Sequence, residues 1–154
     1  MSRTQADVTP CDKPRIFQLV DAIKPLVMEI PRDNKHVSLI LRGNKLLAIG
    51  TNIRKSHPIT QKLGYKFPWM HSELNAVLKC QERTKLTLIN ARFNRFGQMG
   101  FARPCKCCLP WCMVVFDQIH YTTEDTGIVT LNTEITDIKP LNVATIQTAL
   151  RAKS

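Results

Sequence analysis

The chain lacks any long run of apolar residues, which argues against a membrane-spanning protein. A helix that crosses a bilayer needs roughly 20 consecutive, mainly apolar residues, and no run in these 154 residues approaches that length. The first seven residues, Met-Ser-Arg-Thr-Gln-Ala-Asp, also lack the apolar stretch of a signal peptide. We therefore expect no membrane partner and a cytoplasmic location, which is the host cytoplasm if the gene is viral.

Acidic residues are few, and they are unevenly distributed along the chain. The chain has 12 Asp and Glu against 22 Lys and Arg, a formal net charge of +10. Between residues 34 and 116 there are fourteen basic residues and only two acidic ones, Glu73 and Glu82. Such a field attracts anions, so the segment predicts a nucleotide phosphate or a nucleic-acid backbone as its partner. The alternative is a solvated basic face that serves solubility alone.

The order of predicted elements indicates an α/β fold. A chain of this length is expected to form one domain, which we place at residues 11–154 behind a flexible N-terminal arm of residues 1–10. Hydrophobic periodicity and turn residues predict strands at 36–42, 45–50, 85–93, 118–122 and 127–132, and helices from Pro14 to about Lys24, at about 70–82, from Pro104 to about 116, and at 142–152. Pro25 is expected to kink or end the first helix, and residues 51–70 are expected to form a long loop. Helices between strands favour a layered sandwich with a mixed sheet.

Two short motifs contain residue types that commonly bind metal ions. His71-Ser72-Glu73 precedes Pro104-Cys105-Lys106-Cys107-Cys108 by about thirty residues. Cys105 and Cys108 are three apart, so both sulfurs can lie on one face of a helix. One imidazole and two thiolates leave the fourth tetrahedral position of zinc open, as in catalytic sites. A structural site would result instead if Cys80, Cys107 or Cys112 supplied a fourth ligand. With a metal pair and no secretion signal, the six cysteines indicate a reducing compartment rather than disulfides.

Read as H-x-E and P-C-x-x-C, the motifs resemble those of the zinc-dependent cytidine and deoxycytidylate deaminase superfamily. The resemblance covers roughly residues 36–122 and is supported by Gly50-Thr51-Asn52. It implies a three-layer, cytidine-deaminase-like sandwich with about five strands. It also implies one Zn²⁺ per chain, held by His71, Cys105 and Cys108. Glu73 would be the catalytic proton carrier in the hydrolytic conversion of cytosine to uracil.

The substrate is less well defined than the reaction. The leading hypothesis is a free cytidine-type nucleoside or nucleotide such as dCMP, and adenine in place of cytosine stays open. Asn52 would contact the sugar, and Trp69 or the nearby Phe67 would stack on the base. Arg103 is the candidate for holding a phosphate, with Arg92 and Arg95 as the other possible arginines. A turn residue, a core aromatic and a surface cation are the respective alternatives.

Two other functions remain open at this point. The first is deamination of a base in single-stranded DNA or RNA, suggested by the basic segment with Tyr65, Phe67 and Trp69 interleaved among lysines. The second is a zinc-stabilised nucleic-acid-binding module without catalysis. Phe101-Ala102-Arg103 does not match the Ser-Trp-Ser of vertebrate polynucleotide editors, and Ser72 replaces the common alanine of H-A-E. Relatives with this fold often form oligomers, so a homo-oligomer is also open.

Overall fold

A mixed six-stranded sheet forms the centre of the protein. The computed structural model describes residues 8–33, 35–56, 58–63, 65 and 69–132. The strands of this sheet are β1 Val8–Pro10, β2 Lys35–Arg42, β3 Lys45–Thr51, β6 Leu86–Phe93, β7 Phe116–Thr122 and β8 Ile128–Leu131. They lie in the order β1-β8-β7-β6-β2-β3, and the β6–β7 pair is parallel while the other pairs are antiparallel. A separate two-stranded ribbon pairs β4 Ile53–Ser56 with β5 Trp69–Met70.

Four helices accompany the sheet in the described part of the chain. They are α1 Pro14–Met28, α2 Pro58–Lys62, α3 Ser72–Lys79 and α4 Cys108–Val115. Helix α1 packs against β2 and β6, α3 packs against β2 and β3, and α4 packs against β7. Two separate apolar cores result, one containing residues of α1 and the other residues of α3 and α4. The expected three-layer sandwich with a mixed sheet is confirmed, with six strands rather than about five.

Helix α1 continues through Pro25, where the sequence predicted a kink or an end. Proline removes one backbone hydrogen bond from a helix, but Asp21, whose carbonyl loses that partner, is exposed and can be solvated. Val27 lies beyond the proline and is 1% exposed in the core. Burial of this last turn therefore outweighs the loss at Pro25.

The hairpin of β2 and β3 agrees with prediction, because Gly43 adopts the positive φ of 59° that its tight turn requires.

Other expectations need correction. The arm predicted at residues 1–10 is too long, because Val8–Pro10 pair with Leu131, Thr130 and Val129 as an edge strand. Residues 51–70 do not form one continuous loop, since β4, α2 and β5 lie within them. The helix predicted at 142–152 and residues 1–7 of the arm lie outside the described residues. No helix within the described ranges is long and apolar enough to cross a bilayer.

Candidate metal centre and adjoining cavity

His71 stands at the junction of β5 and α3. Its backbone is extended (φ −72°, ψ 160°), and its carbonyl accepts a hydrogen bond from the Asn75 amide at 3.0 Å. His71 is therefore the N-cap of the helix, but its imidazole makes no capping bond. The side chain is consequently available to a ligand, and the helix starts two residues later than the predicted Met70.

The cysteine pair is carried by a turn that leads into α4. The Cys105 carbonyl accepts the Leu109 amide at 2.8 Å, yet the helix itself begins at Cys108. The sequence predicted that Pro104 lies in the first turn of this helix, but Pro104 lies before the helix begins. Cys105 is exposed, whereas Cys108 is fully buried against the core.

These three residues form the only potential metal-binding cluster among the described histidine, cysteine and acidic side chains. Their ligand atoms all lie within 4.8 Å of one another. Nδ1 of His71 is 3.6 Å from Sγ of Cys105 and 3.5 Å from Sγ of Cys108. Tetrahedral zinc with Zn–S near 2.3 Å and Zn–N near 2.05 Å would separate sulfur and nitrogen by about 3.5 Å. The donor atoms therefore fit a small tetrahedral ion.

The alternative of a fourth cysteine ligand finds no support. None of Cys80, Cys107 and Cys112 belongs to the cluster. Glu73 does not belong to it either. Three protein ligands with a fourth position left open are typical of catalytic metal sites.

The two thiols of the cluster have opposite electrostatic environments. Hydrogen bonding from Cys108, assisted by His71 and by the backbone amides of Cys107 and Cys108, lowers the pKa of Cys105 to about 3 against the opposing effect of burial. Burial raises the pKa of Cys108 well above its ordinary value. The hydrogen bond with Cys105 raises the pKa of His71, although burial opposes it. Cys105 is thus the more readily ionised of the two thiols. A bound divalent cation would favour deprotonation of Cys108 as well.

A cavity of about 250 Å³ opens beside the cluster. It is smaller than the ~300–1,000 Å³ usual for drug-sized ligands, so it suits a compact ring. Two residues of the cluster, His71 and Cys105, line this cavity. The remaining lining residues are His36, Asn52, Ser72, Glu73, Asn90, Ala102 and Arg103.

The predicted substrate residues separate into two groups. Asn52 and Arg103 line the cavity. Trp69 is 46% exposed and does not line it. Tyr65, considered as part of an exposed stacking surface, is buried at 9% exposure, and Phe67 lies outside the described residues.

Two lining residues, His36 and Asn90, were not predicted from the sequence. His36 donates its amide hydrogen to Oδ1 of Asn52 at 3.3 Å, which orients that carboxamide. Burial, followed by the charges of Arg92 and His71, lowers the pKa of His36 to about 4. The signal for Asn90 was available, since it is an uncharged polar residue in the apolar centre of a strand.

A buried row of polar side chains connects Glu73 to the cysteine turn. Ser72 Oγ lies 3.1 Å from Oε1 of Glu73 and 2.8 Å from Oγ of Ser38. Ser38 Oγ donates to Oδ1 of Asn90 at 2.6 Å, and Nδ2 of Asn90 donates to the carbonyl of Ala102 at 3.3 Å. All four side chains are at most 6% exposed. Their mutual bonding satisfies groups that would otherwise be costly to bury.

The same row has one hydrogen fewer than its contacts require. Three oxygen–oxygen contacts join Glu73, Ser72, Ser38 and Asn90, and the two hydroxyls supply two hydrogens. The amide oxygen of Asn90 can only accept. One of the three oxygen–oxygen contacts is therefore made without a hydrogen from these two hydroxyls.

Helix α3 is held close to the sheet by a glycine. A Cβ added at Gly50 would lie 2.3 Å from the backbone nitrogen of Ala76 and 2.5 Å from the carbonyl oxygen of Ser72. Nδ2 of Asn75 also donates to the carbonyl of Thr51 at 2.9 Å. These contacts set the position of the helix start that carries His71 and Glu73.

Comparison with protein-family models and with curated protein sequences finds no match to this chain.

Proposed function

We propose that this protein is a zinc-dependent hydrolase that deaminates cytosine to uracil in a free cytidine-type nucleoside or nucleotide, such as dCMP. The observation that supports the proposal most directly is the joint position of the metal-binding cluster and Glu73. His71, Cys105 and Glu73 line one cavity, and within the described ranges the cluster offers three ligands and no fourth.

Zinc is the metal that best suits this donor set. One imidazole nitrogen and two sulfurs at tetrahedral spacing match its preferences, whereas magnesium and calcium prefer oxygen ligands. Zinc bound by His71, Cys105 and Cys108 would supply Lewis acidity, which makes water acidic enough to act as a nucleophile near neutral pH.

The chain's own residues would then bind the substrate and move protons. Glu73 would take a proton from water, pass it to ring nitrogen N3, and help to protonate the departing ammonia. Asn52, held by the His36 amide, would donate to and accept from a sugar hydroxyl. Arg103 at the cavity wall would bind a phosphate oxygen.

The test is ammonia release by zinc-loaded protein from cytidine, deoxycytidine, CMP, dCMP, adenosine and cytosine-bearing single-stranded DNA and RNA. Glu73→Gln is the blank, with its zinc content measured in parallel. The proposal predicts turnover of a cytidine monomer by the wild-type protein, and full zinc occupancy without turnover in Glu73→Gln. Loss of zinc in Glu73→Gln would make the carboxylate a ligand and contradict the assignment. Absence of turnover on every substrate would favour the non-catalytic, zinc-stabilised nucleic-acid-binding module.

A second candidate is deamination within single-stranded DNA or RNA, and one observation favours it. The loop that leads to Arg103 exposes Phe96 at 75% and Phe101 at 46%. The guanidinium of Arg95 lies 5.0 Å from the centre of the Phe96 ring. Exposed aromatics beside cations are typical of surfaces on which successive bases stack.

Salt dependence would distinguish this candidate from the first. A strand-binding enzyme should lose affinity for an oligonucleotide steeply as salt rises, because counterions are released on binding. Phe96→Ala should weaken that binding without altering turnover of a monomer. No oligonucleotide binding at low salt would eliminate the candidate.

A further inference from the structure

Tyr65 lies beneath the metal-binding cluster rather than in its cavity. It follows α2, where its amide donates to the Thr60 carbonyl at 3.0 Å. Its side chain belongs to the core that α3 and α4 share. The phenol oxygen is 2.6 Å from Sγ of Cys108, the one fully buried sulfur of the cluster. Tyr65 is therefore in direct contact with a proposed metal ligand.

The direction of hydrogen bonding at Tyr65 follows from its second partner. Nε1 of Trp111 donates to the phenol oxygen at 2.9 Å, and an indole nitrogen can only donate. The phenol oxygen thus accepts from Trp111, and its own hydrogen is available to the sulfur of Cys108, which as a metal-binding thiolate can only accept. Trp111 is 0% exposed and lies three residues after Cys108 on α4. The result is a directed row from Trp111 through Tyr65 to Cys108.

Tyr65 also contacts a second member of the cluster. Its ring meets the imidazole of His71 edge to face, with centroids 4.9 Å apart and an interplanar angle of 73°. Edge-to-face packing is a favoured arrangement for aromatic rings. One side chain therefore restrains both His71, at the start of α3, and Cys108, at the start of α4.

We propose that Tyr65, supported by Trp111, is a positioning residue for the metal centre. It orients His71 and Cys108, and its hydroxyl withdraws electron density from the Cys108 sulfur, which makes a bound metal ion a stronger Lewis acid. This role of Tyr65 depends on the proposed function in one respect only, which is the choice of zinc as the resident metal. Groups that contact metal ligands in this way typically change metal affinity or activity by about 10–100-fold when they are removed.

The test uses Tyr65→Phe, which keeps the ring against His71 and removes the hydroxyl. Zinc affinity is measured by competition with a chelator, and the cobalt-loaded protein is examined by absorption spectroscopy. We expect about 10–100-fold weaker zinc binding, because Cys108 loses the hydrogen bond that orients and stabilises its buried sulfur for the metal. We also expect the thiolate-to-cobalt charge-transfer band to move to lower energy, because a sulfur without the hydrogen bond gives up electron density more readily. Unchanged affinity and an unchanged band would overturn the proposal.

Tyr121→Phe is the matched control. Tyr121 is the only other tyrosine of the chain, it is 2% exposed, and it packs edge to face on Phe101 at 5.7 Å. This variant should leave zinc affinity and the cobalt spectrum unchanged. A band shift in both variants would show a general packing effect and overturn the specific role of Tyr65.

A second measurement does not require Tyr65→Phe to fold. In Tyr121→Phe, Tyr65 is the sole tyrosine, so incorporation of 3-fluorotyrosine labels it alone. The ¹⁹F resonance should shift as zinc is added up to one equivalent, and a resonance unaffected by zinc would contradict the proposal. Failure of the two proposals is distinguishable: spectral effects without deamination would reject the proposed function alone, whereas deamination with an unchanged Tyr65→Phe would reject this one alone.

Discussion

The two cysteines of the cluster differ in burial. Cys105 is exposed, and Cys108 is fully buried and contacts Tyr65. Substitution of Cys105 should therefore act on the metal more than on packing, whereas substitution of Cys108 should affect both. The difference makes Cys105 the better residue for testing the metal centre in isolation.

We predict that Cys105→Ala abolishes stable zinc binding, because it removes one of the three ligands and leaves the fold of the core around Cys108 in place. Cys107→Ala is the control, because Cys107 lies in the same turn but outside the cluster. Zinc content after dialysis, measured by mass spectrometry, distinguishes them. Equal zinc loss in both variants would contradict the ligand assignment.

His120 should make stability depend on pH. It is 1% exposed, its Nδ1 lies 2.8 Å from Oγ1 of Thr130, and its Nε2 has no hydrogen-bond partner. Burial and then the charge of Lys13 lower the pKa of His120 to about 4, against a smaller opposing effect of Asp12. An unfolded histidine has a pKa near 6.5. The unfolded chain therefore binds more protons between these values, and stability is retained above pH 6.5 and lost as pH falls towards 4.

The loss at His120 amounts to about 3 kcal/mol from the shift in its pKa. We predict that His120→Gln gives a shallower dependence of the unfolding free energy on pH between about 4 and 6.5, because the titrating group is absent. Urea unfolding at a series of pH values measures this. His36, whose pKa is lowered in the same direction, leaves a residual slope in the variant. Parallel curves for the variant and the wild-type protein would refute the prediction.

At the scale of elements, the position of α3 depends on the absence of a side chain at Gly50. We predict that Gly50→Ala destabilises the protein by about 1–3 kcal/mol through overpacking and weakens zinc binding, because the helix start must move away from the sheet. Gly43→Ala is the control: its added Cβ meets nothing within 4 Å, but its φ of 59° costs about 1–2 kcal/mol. Zinc affinity should fall in the first variant only. Chelator competition combined with thermal unfolding provides both quantities.

Local patterns predicted the elements whose signals lie in adjacent residues. The β2–β3 hairpin follows from Gly43-Asn44 between apolar runs, and the six-stranded mixed sheet was recognisable from five of its strands. Strand β1 was missed because Val8–Pro10 acquire their role only by pairing with residues 129–131. The elements within residues 51–70 have at most five residues each, which is too short for periodicity to detect.

The candidate site was predictable to a similar extent. Cys105 and Cys108 were identifiable because residues three apart can lie on one face of a helix, whereas the inclusion of His71 came from the resemblance of H-x-E and P-C-x-x-C to the deaminase motifs. Asn90 carried a signal as a polar residue within an apolar strand, but its place opposite Ser38, like that of His36 opposite Arg92, depends on the register that pairs β2 with β6. That register is a property of the assembled sheet.

At the scale of the whole molecule, the metal centre connects parts of the chain that are 34 and 37 residues apart. Binding to the folded state alone raises stability by RT ln(1 + [L]/Kd), about 2.7 kcal/mol at a hundredfold excess over Kd. We predict that zinc raises the melting temperature of the wild-type protein and leaves that of Cys105→Ala unchanged. Calorimetry across a zinc titration tests this, and equal shifts in both proteins would indicate binding elsewhere.

The crossover between β6 and β7 also has a kinetic consequence. His71 precedes β6, whereas Cys105 and Cys108 follow it on the way to β7, so the three donors meet only after β6 has taken its central place. Parallel pairing through a crossover forms slowly, since distant segments must first be brought together. Metal capture should therefore be a late event that slows unfolding and hardly changes the refolding rate, which stopped-flow measurements with and without zinc would reveal. A newly synthesised chain would then bury its sheet first and acquire its metal last.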